Sequence, residues 1–381
     1  GMNQKELSEL KRRFRPDKSA IHRIYGCFVN GNKEIVSYLD ESMGRMPEEE
    51  SAQYLGFLKK ALSGTLGKQL IDIVFSTQQV ADSQEHKLLS ALRDSQLKDA
   101  QARETFYRKI IDALELDGNY LILLAHDAYD VPRRGKDDRL QEDSDTVFSY
   151  LVCCVCPVKD SKVELGYFPG ENEFHSRAGQ VVAPPELGFL FPAFDGRAAN
   201  LYNALFYSKK ADQIHQEFID AVFHTEPPMS AAEQKEAFQS ALREGLGDAC
   251  TVEVVQAIHE RLLDRMARHK ESKDPEPLEV TAQDVAAILR DCGVGDEPIA
   301  AFQEECRELL GEGVLNPANL IDPRRFEIKT EAAAVTVDPE RSYLVELREI
   351  DGRKYLLVPA DAGVEINGFA LSSAAGEAAG A

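Results

Sequence analysis

No stretch of this sequence approaches the ~18–20 consecutive apolar residues that a membrane-spanning helix requires. Its strongest apolar runs, Tyr120–Ala125 and Tyr150–Val158, have the length of strands. A paired cysteine framework is also missing. The seven cysteines (Cys27, Cys153, Cys154, Cys156, Cys250, Cys292 and Cys306) are odd in number and scattered, which fits a reducing compartment and predicts no disulfides. Positive charge is scarce: 44 Lys and Arg against 65 Asp and Glu leave a net charge of −21 on 381 residues. A surface of that sign repels nucleic-acid phosphate unless a local basic patch overrides it within a Debye length of roughly 8–10 Å. Dinucleotide (G-x-G-x-x-G), nucleophile-elbow (G-x-S-x-G) and kinase-type motifs are absent as well.

What is present is ordinary globular composition, 43% hydrophobic and 29% charged. The length suits two or three domains at the usual ~100–200 residues each. Gly1 precedes Met2 and reads as a remnant of tag cleavage, and no apolar signal-peptide core follows, so the cytoplasm is the expected location. The charge is uneven. Between residues 271 and 313, 12 acidic residues face 3 basic ones, so −9 of the −21 lies there. Residues 1–18 carry the opposite excess, with Lys11, Arg12, Arg13 and Arg15 at its centre.

Periodicity predicts an α+β fold: a mixed N-terminal sheet with helices, a helical middle and a C-terminal antiparallel β meander. Leu7, Leu10 and Phe14 mark a first helix, and Asn30-Gly31 joins two strands as a hairpin. Pro47 followed by three glutamates starts a helix whose stripe is Leu55, Leu58 and Leu62. Further helices are expected near 84–94, 98–115, 211–223, 230–244, 251–270, 281–291 and 296–310. The apolar run 119–125 and the run 147–158 read as an antiparallel pair joined by a charged loop over 133–145. The expected organisation is an α+β domain at 1–225, a helical segment at 226–272, a linker at 273–280, an acidic helix pair at 281–313, the meander at 314–370 and a disordered tail at 371–381.

Chemistry-bearing residues are few and separated. His126, Asp127 and Asp130 end the apolar run, where a His–Asp pair can bind a divalent ion or move a proton; they are the weak catalytic candidates. No further helical His set accompanies them, and a polar strand-to-loop cap explains them as well. Alternation puts Cys154 and Cys156 on one strand face and Cys153 on the other, which suits small buried side chains better than a zinc knuckle. Glu171, Glu173 and His175 would form a three-ligand set if extended, but Gly170 and Asn172 argue for a surface turn. His259-Glu260 opens like the zinc-protease helix motif, yet Leu263 stands where its second ligand belongs. Gly64-Thr-Leu-Gly-Lys68 lacks the spacing of a phosphate loop and reads as a helix C-cap. Phe189, Phe191 and Phe194 lack the interleaved Lys or Arg of a base-stacking platform and read as core strand. No metal and no cofactor is expected.

Six segments carry a resemblance: Leu62-Ser-Gly-Thr-Leu-Gly67, Ala91-Leu-Arg-Asp-Ser-Gln-Leu-Lys-Asp99, Asn119 to Pro132, Cys156-Pro-Val158, Gly188 to Phe194 and Ile350-Asp-Gly-Arg-Lys354. Through them nearly the whole chain resembles an uncharacterised bacterial family of unknown function, the one numbered 4317. That resemblance implies a bacterial cytoplasmic protein and transfers no catalytic residues. The order of elements also resembles that of nucleoid-associated proteins of about this size.

The functional expectation is a non-catalytic binding or scaffolding protein, with DNA contact through local patches at Lys11, Arg12, Arg13 and Arg15 or at Arg133, Arg134 and Lys136. Two alternatives stand beside it. One is a metal-dependent hydrolase using His126, Asp127 and Asp130; the other is a protein–protein adaptor using the acidic 271–313 face.

Overall fold

A computed structural model of the chain describes residues 1–134, 140–226 and 228–371. The fold is α+β, built on a mainly antiparallel sheet. Two compact units emerge, one of residues 1–234 with 274–277 and one of residues 235–273 with 278–381.

The first unit begins with helix α1 (Gln4–Lys11), whose start is fixed by a capping box between Asn3 and Glu6. Strands β1 (Arg23–Val29) and β2 (Ile35–Ser42) follow as the expected hairpin. Helix α2 (Glu48–Lys60) starts directly after Pro47, with three glutamates on the positive end of its dipole and Lys59 and Lys60 in its last turn. Next come β3 (Leu70–Val74), α3 (Thr77–Asp82), α4 (Gln84–Asp94) and α5 (Ala100–Ala113), the last capped by the Asp99 carboxylate. The long strands β4 (Asn119–Arg134) and β5 (Leu140–Asp160) pair antiparallel. They continue through most of the stretch expected to be a loop, because alternation of buried and open side chains persists from Asp127 to Arg134. Residues 135–139 lie outside the described residues, as does the tail 372–381.

The remaining strands are β6 (Glu164–Phe168), β7 (Glu173–Arg177), β8 (Gln180–Val182), β9 (Leu187–Phe191), β10 (Ala193–Asp195), β11 (Ala198–Asn200) and β12 (Asn203–Ser208), followed by α6 (Gln216–Phe223). Eight strands form the main sheet in the order β2-β1-β4-β5-β9-β12-β3, with β8 against β5. Helices cover both faces. Leu89, Leu92, Phe106, Ile110, Phe218 and Phe223 from α4, α5 and α6 pack on one face, and Leu7, Leu10, Leu55 and Leu58 from α1 and α2 on the other. Each fully buried Phe contributes on the order of 1.5–3 kcal/mol. Phe189 meets Phe223 edge-on at 5.1 Å. Phe189, Phe191 and Phe194 are all fully buried, so they are core side chains and offer no base a stacking surface. At Gly188 the strand meets the end of α2 and its neighbouring strand closely: a Cβ there would lie 2.5 Å from the Cys153 carbonyl oxygen and 2.9 Å from Ala61.

The second unit holds α7 (Ala231–Leu246) from Lys235 onward, α8 (Val252–Ser272), α9 (Ala282–Asp291), α10 (Asp296–Leu310) and α11 (Pro317–Leu320). Phe238, Leu242, Ile258, Leu262, Leu289 and Phe302 are among its core. Gly245 lets α7 meet α10, since a Cβ would sit 2.4 Å from the Phe302 Cα. The C-terminal strands pair two by two and antiparallel: β13 (Phe326–Lys329) with β14 (Ala334–Val337), β15 (Glu346–Ile350) with β16 (Arg353–Leu357), and β17 (Glu365–Ile366) with β18 (Phe369–Ala370). No helix among the described residues is long and apolar enough to cross a membrane.

Candidate functional site

The densest polar cluster lies where β4 and β5 run past their neighbours. On the side of β1 the β4 ladder stops at Leu124, and on the side of β9 the β5 ladder stops at Leu151. Beyond that point Asp127, Tyr129 and Val131 turn to the face under α1, while His126, Ala128 and Asp130 turn to the opposite face, as the two-residue period of a strand requires. Asp127 is 1% exposed and accepts three hydrogen bonds: from Arg13 Nε at 2.8 Å, from the second Arg13 guanidinium nitrogen at 2.9 Å and from the Tyr150 hydroxyl at 2.7 Å. Arg13 also lies 4.3 Å above the ring of Tyr129. The Tyr129 hydroxyl donates to Glu9 at 2.8 Å, and Arg197 grips the same carboxylate at 2.7 and 3.1 Å while donating to the Pro132 carbonyl.

Burial pushes Glu9 up, but the Arg197 and Tyr129 hydrogen bonds, with the charges of Arg197 and Arg134, outweigh it and hold the carboxyl below its ordinary value. Glu6 is raised by burial, and the backbone N–H groups of Asn3 and Arg197 only partly oppose that. Burial and the neighbouring Asp127 push Tyr150 well up. The cluster therefore fastens α1 to the two-stranded extension. Glu6, Glu9 and Tyr129 escaped the sequence reading. The signal that could have found the first two is the helical spacing of Glu6, Glu9 and Arg13, which puts all three on one face.

His126, Asp127 and Asp130 are thus divided by the sheet. His126 is half-buried and bonds Ser149 Oγ through Nε2 at 2.7 Å; burial lowers its pKa, Asp127 opposes this, and Arg93 and Lys98 reinforce it. Asp130 shares its face but is exposed. Cys153 is buried on one side of the sheet and Cys154 and Cys156 on the other, the latter sulfurs 3.8 Å apart. Burial raises the thiols of Cys153 and Cys154, which leaves them poor nucleophiles.

The basic candidates separate as clearly. Arg13 is spent on Asp127, and Arg15 pairs with Asp17 at 3.2 Å. Arg133 and Arg134 border an open cleft with Arg197, where Arg134 lies 4.0 Å from Glu9; Lys136 is outside the described residues. Lys11 is different. It is half-buried at the end of α1, and its pKa is lowered by burial and by the charges of Lys59 and Lys60 at the end of α2. Arg12 follows, exposed, at the α1 C-cap. No carboxylate among the described residues ion-pairs with these four cations. Lys59 and Lys60 went unnoticed in sequence, although basic residues in the last turns of two helices packed on one face were the available signal.

In the second unit a cleft of 480 Å³ is bordered by Phe238, Ile258, His259, Arg325, Phe326 and Lys329. His259 bonds the Asp322 carbonyl at 2.9 Å through Nε2 while its buried Nδ1 has no hydrogen-bond partner among the described residues, and Arg325 and Lys329 both pair with Glu327. In the acidic stretch, Asp291 pairs with Arg261, and Arg307 pairs with both Glu304 and Glu312.

An antiparallel sheet with helices on both faces defines an α+β protein. The sequence matches the family described as Domain of unknown function (DUF4317) over residues 2–369, and the chain belongs to that family. No curated protein matches it.

Proposed function

We propose that this chain is a non-catalytic binding protein of the bacterial cytoplasm that engages a phosphate-rich polyanion, DNA in the sharpest version, through the ends of α1 and α2. The observation that carries this reading is the grouping of Lys11 with Lys59 and Lys60, where burial, reinforced by the charges of the two neighbours, lowers the pKa of Lys11 and no carboxylate among the described residues pairs with any of the three. In a chain of charge −21, such a grouping costs repulsion that a bound anion removes. The saturation of Asp127 by Arg13 and Tyr150, and its place across the sheet from His126 and Asp130, favour binding over hydrolysis.

The test is retention of a fluorescent DNA duplex as salt is raised. Binding is expected at low salt, and changing Lys11, Lys59 and Lys60 together to Glu should flatten the salt dependence by about three phosphate contacts, at a slope of roughly −0.9 per contact. An absence of retention at low salt, or equal retention by the triple variant, removes the reading.

A further inference from the structure

Apart from the main sheet, β6 and β7 pair only with each other, as a hairpin from Glu164 to Arg177. Its tip holds a second convergence of charged groups. Glu173 and His175 are two residues apart on β7 and share one face of the strand. Asn172, at φ 56°, turns the chain so that Glu171 folds back towards them. As a result His175 Nε2 lies 2.9 Å from Glu171 Oε2 and 3.1 Å from Glu173 Oε2, and the three ligand atoms lie within 4.8 Å of one another. The Phe168 ring lies 5.5 Å from the imidazole, centre to centre.

From this geometry we infer that Glu171, Glu173 and His175 form a binding site for a divalent transition-metal ion of the zinc class. The imidazole makes the set unlike the all-oxygen shells that calcium and magnesium take. Tetrahedral bonds of about 2.0–2.2 Å set ligand atoms roughly 3.3 Å apart, so both His–Glu separations reach that value by opening only a few tenths of an ångström. Two carboxylates supply the negative charge that a dication needs. Exposed ion pairs by themselves stabilise a fold by only ~0–1 kcal/mol, so the convergence is poorly explained as a structural fastening. Three protein ligands leave a fourth position for water or for a group of another molecule. The site is independent of the basic surface of α1 and α2 and neither supports nor depends on the polyanion reading.

The experiment is a titration of the tag-free, chelator-treated full chain with zinc by calorimetry, and with cobalt by its visible absorption. One equivalent should bind, with the absorption bands of tetrahedral cobalt. His175→Ala and Glu173→Gln should each weaken binding at least about tenfold while leaving the far-UV circular dichroism of the metal-free chain unchanged. His224→Ala removes another exposed imidazole, one that pairs with Asp220 at 3.5 Å, and should leave the affinity unaltered. Equal binding by the wild-type chain and His175→Ala, an equal loss in His224→Ala, or no heat and no cobalt bands at millimolar metal would overturn the assignment.

Discussion

Asp127 with Arg13, and His175 with Glu171 and Glu173, are both places where charges converge on a strand, yet their surroundings are opposite. Asp127 is 1% exposed and receives three donors. His175 is 45% exposed and has two acceptors and a ring beside it. The buried group can hold its charge only because each oxygen is answered from within the fold. The exposed group needs no such answer for folding and stays available to something from outside. Where water is excluded, polar residues belong to architecture; where it is admitted, the same residue types are free to bind.

This contrast is broken most severely at Asp127. Asp127→Ala leaves the Arg13 guanidinium without its counter-charge in a largely buried position and should cost about 3–5 kcal/mol in denaturant unfolding. Replacing Arg13 and Asp127 together by Leu should recover much of that loss; additive losses in the pair would show that the two residues do not act as a unit. Gly188→Ala tests the packing around the same sheet without touching charge, and should cost about 1–3 kcal/mol through the clash with the Cys153 carbonyl and Ala61. Tyr129→Phe removes one hydroxyl from Glu9 and should cost about 1 kcal/mol.

Acidity sharpens the comparison further. Burial holds the imidazoles of His126 and His259 below their ordinary 6.5. The unfolded chain therefore takes up these protons first as pH falls, and the neutral rings' contribution is complete above 6.5 and lost progressively below it. His259→Gln should make the decline in melting temperature from about pH 7 to pH 5 shallower. An unchanged slope would mean that the buried ring does not resist protonation. The smallest effect is expected at the open cluster, where His175→Ala should alter metal-free stability by less than about 0.5 kcal/mol.

Much of the framework was legible in sequence because local signals and the fold agree. Asn30-Gly31 turned the first hairpin, Pro47 with its glutamates began α2, and the 296–310 spacing matched α10. The extension of β4 and β5 was obscured because its buried face is lined by Asp127 and Tyr129, whose polarity imitates a loop until Arg13 and Glu9 are brought from elsewhere in the chain. The β6–β7 hairpin was legible only as a turn. Its Leu165 and Phe174 remain 76% and 66% exposed, so no buried stripe announced the strands. Pairings that span more than a hundred residues, such as Glu9 with Arg197, leave no local trace and emerged only with the fold.

The same extension leaves one margin of β4 without a lateral strand beyond Leu124, among the described residues. An open margin of that kind invites a second chain to zip against it. Here Pro132 lacks the N–H such zipping needs, and shifts of register between Val131 and Arg134 put the neighbouring groups out of step. The overhang that gives α1 its anchoring surface is therefore a poor template for self-assembly.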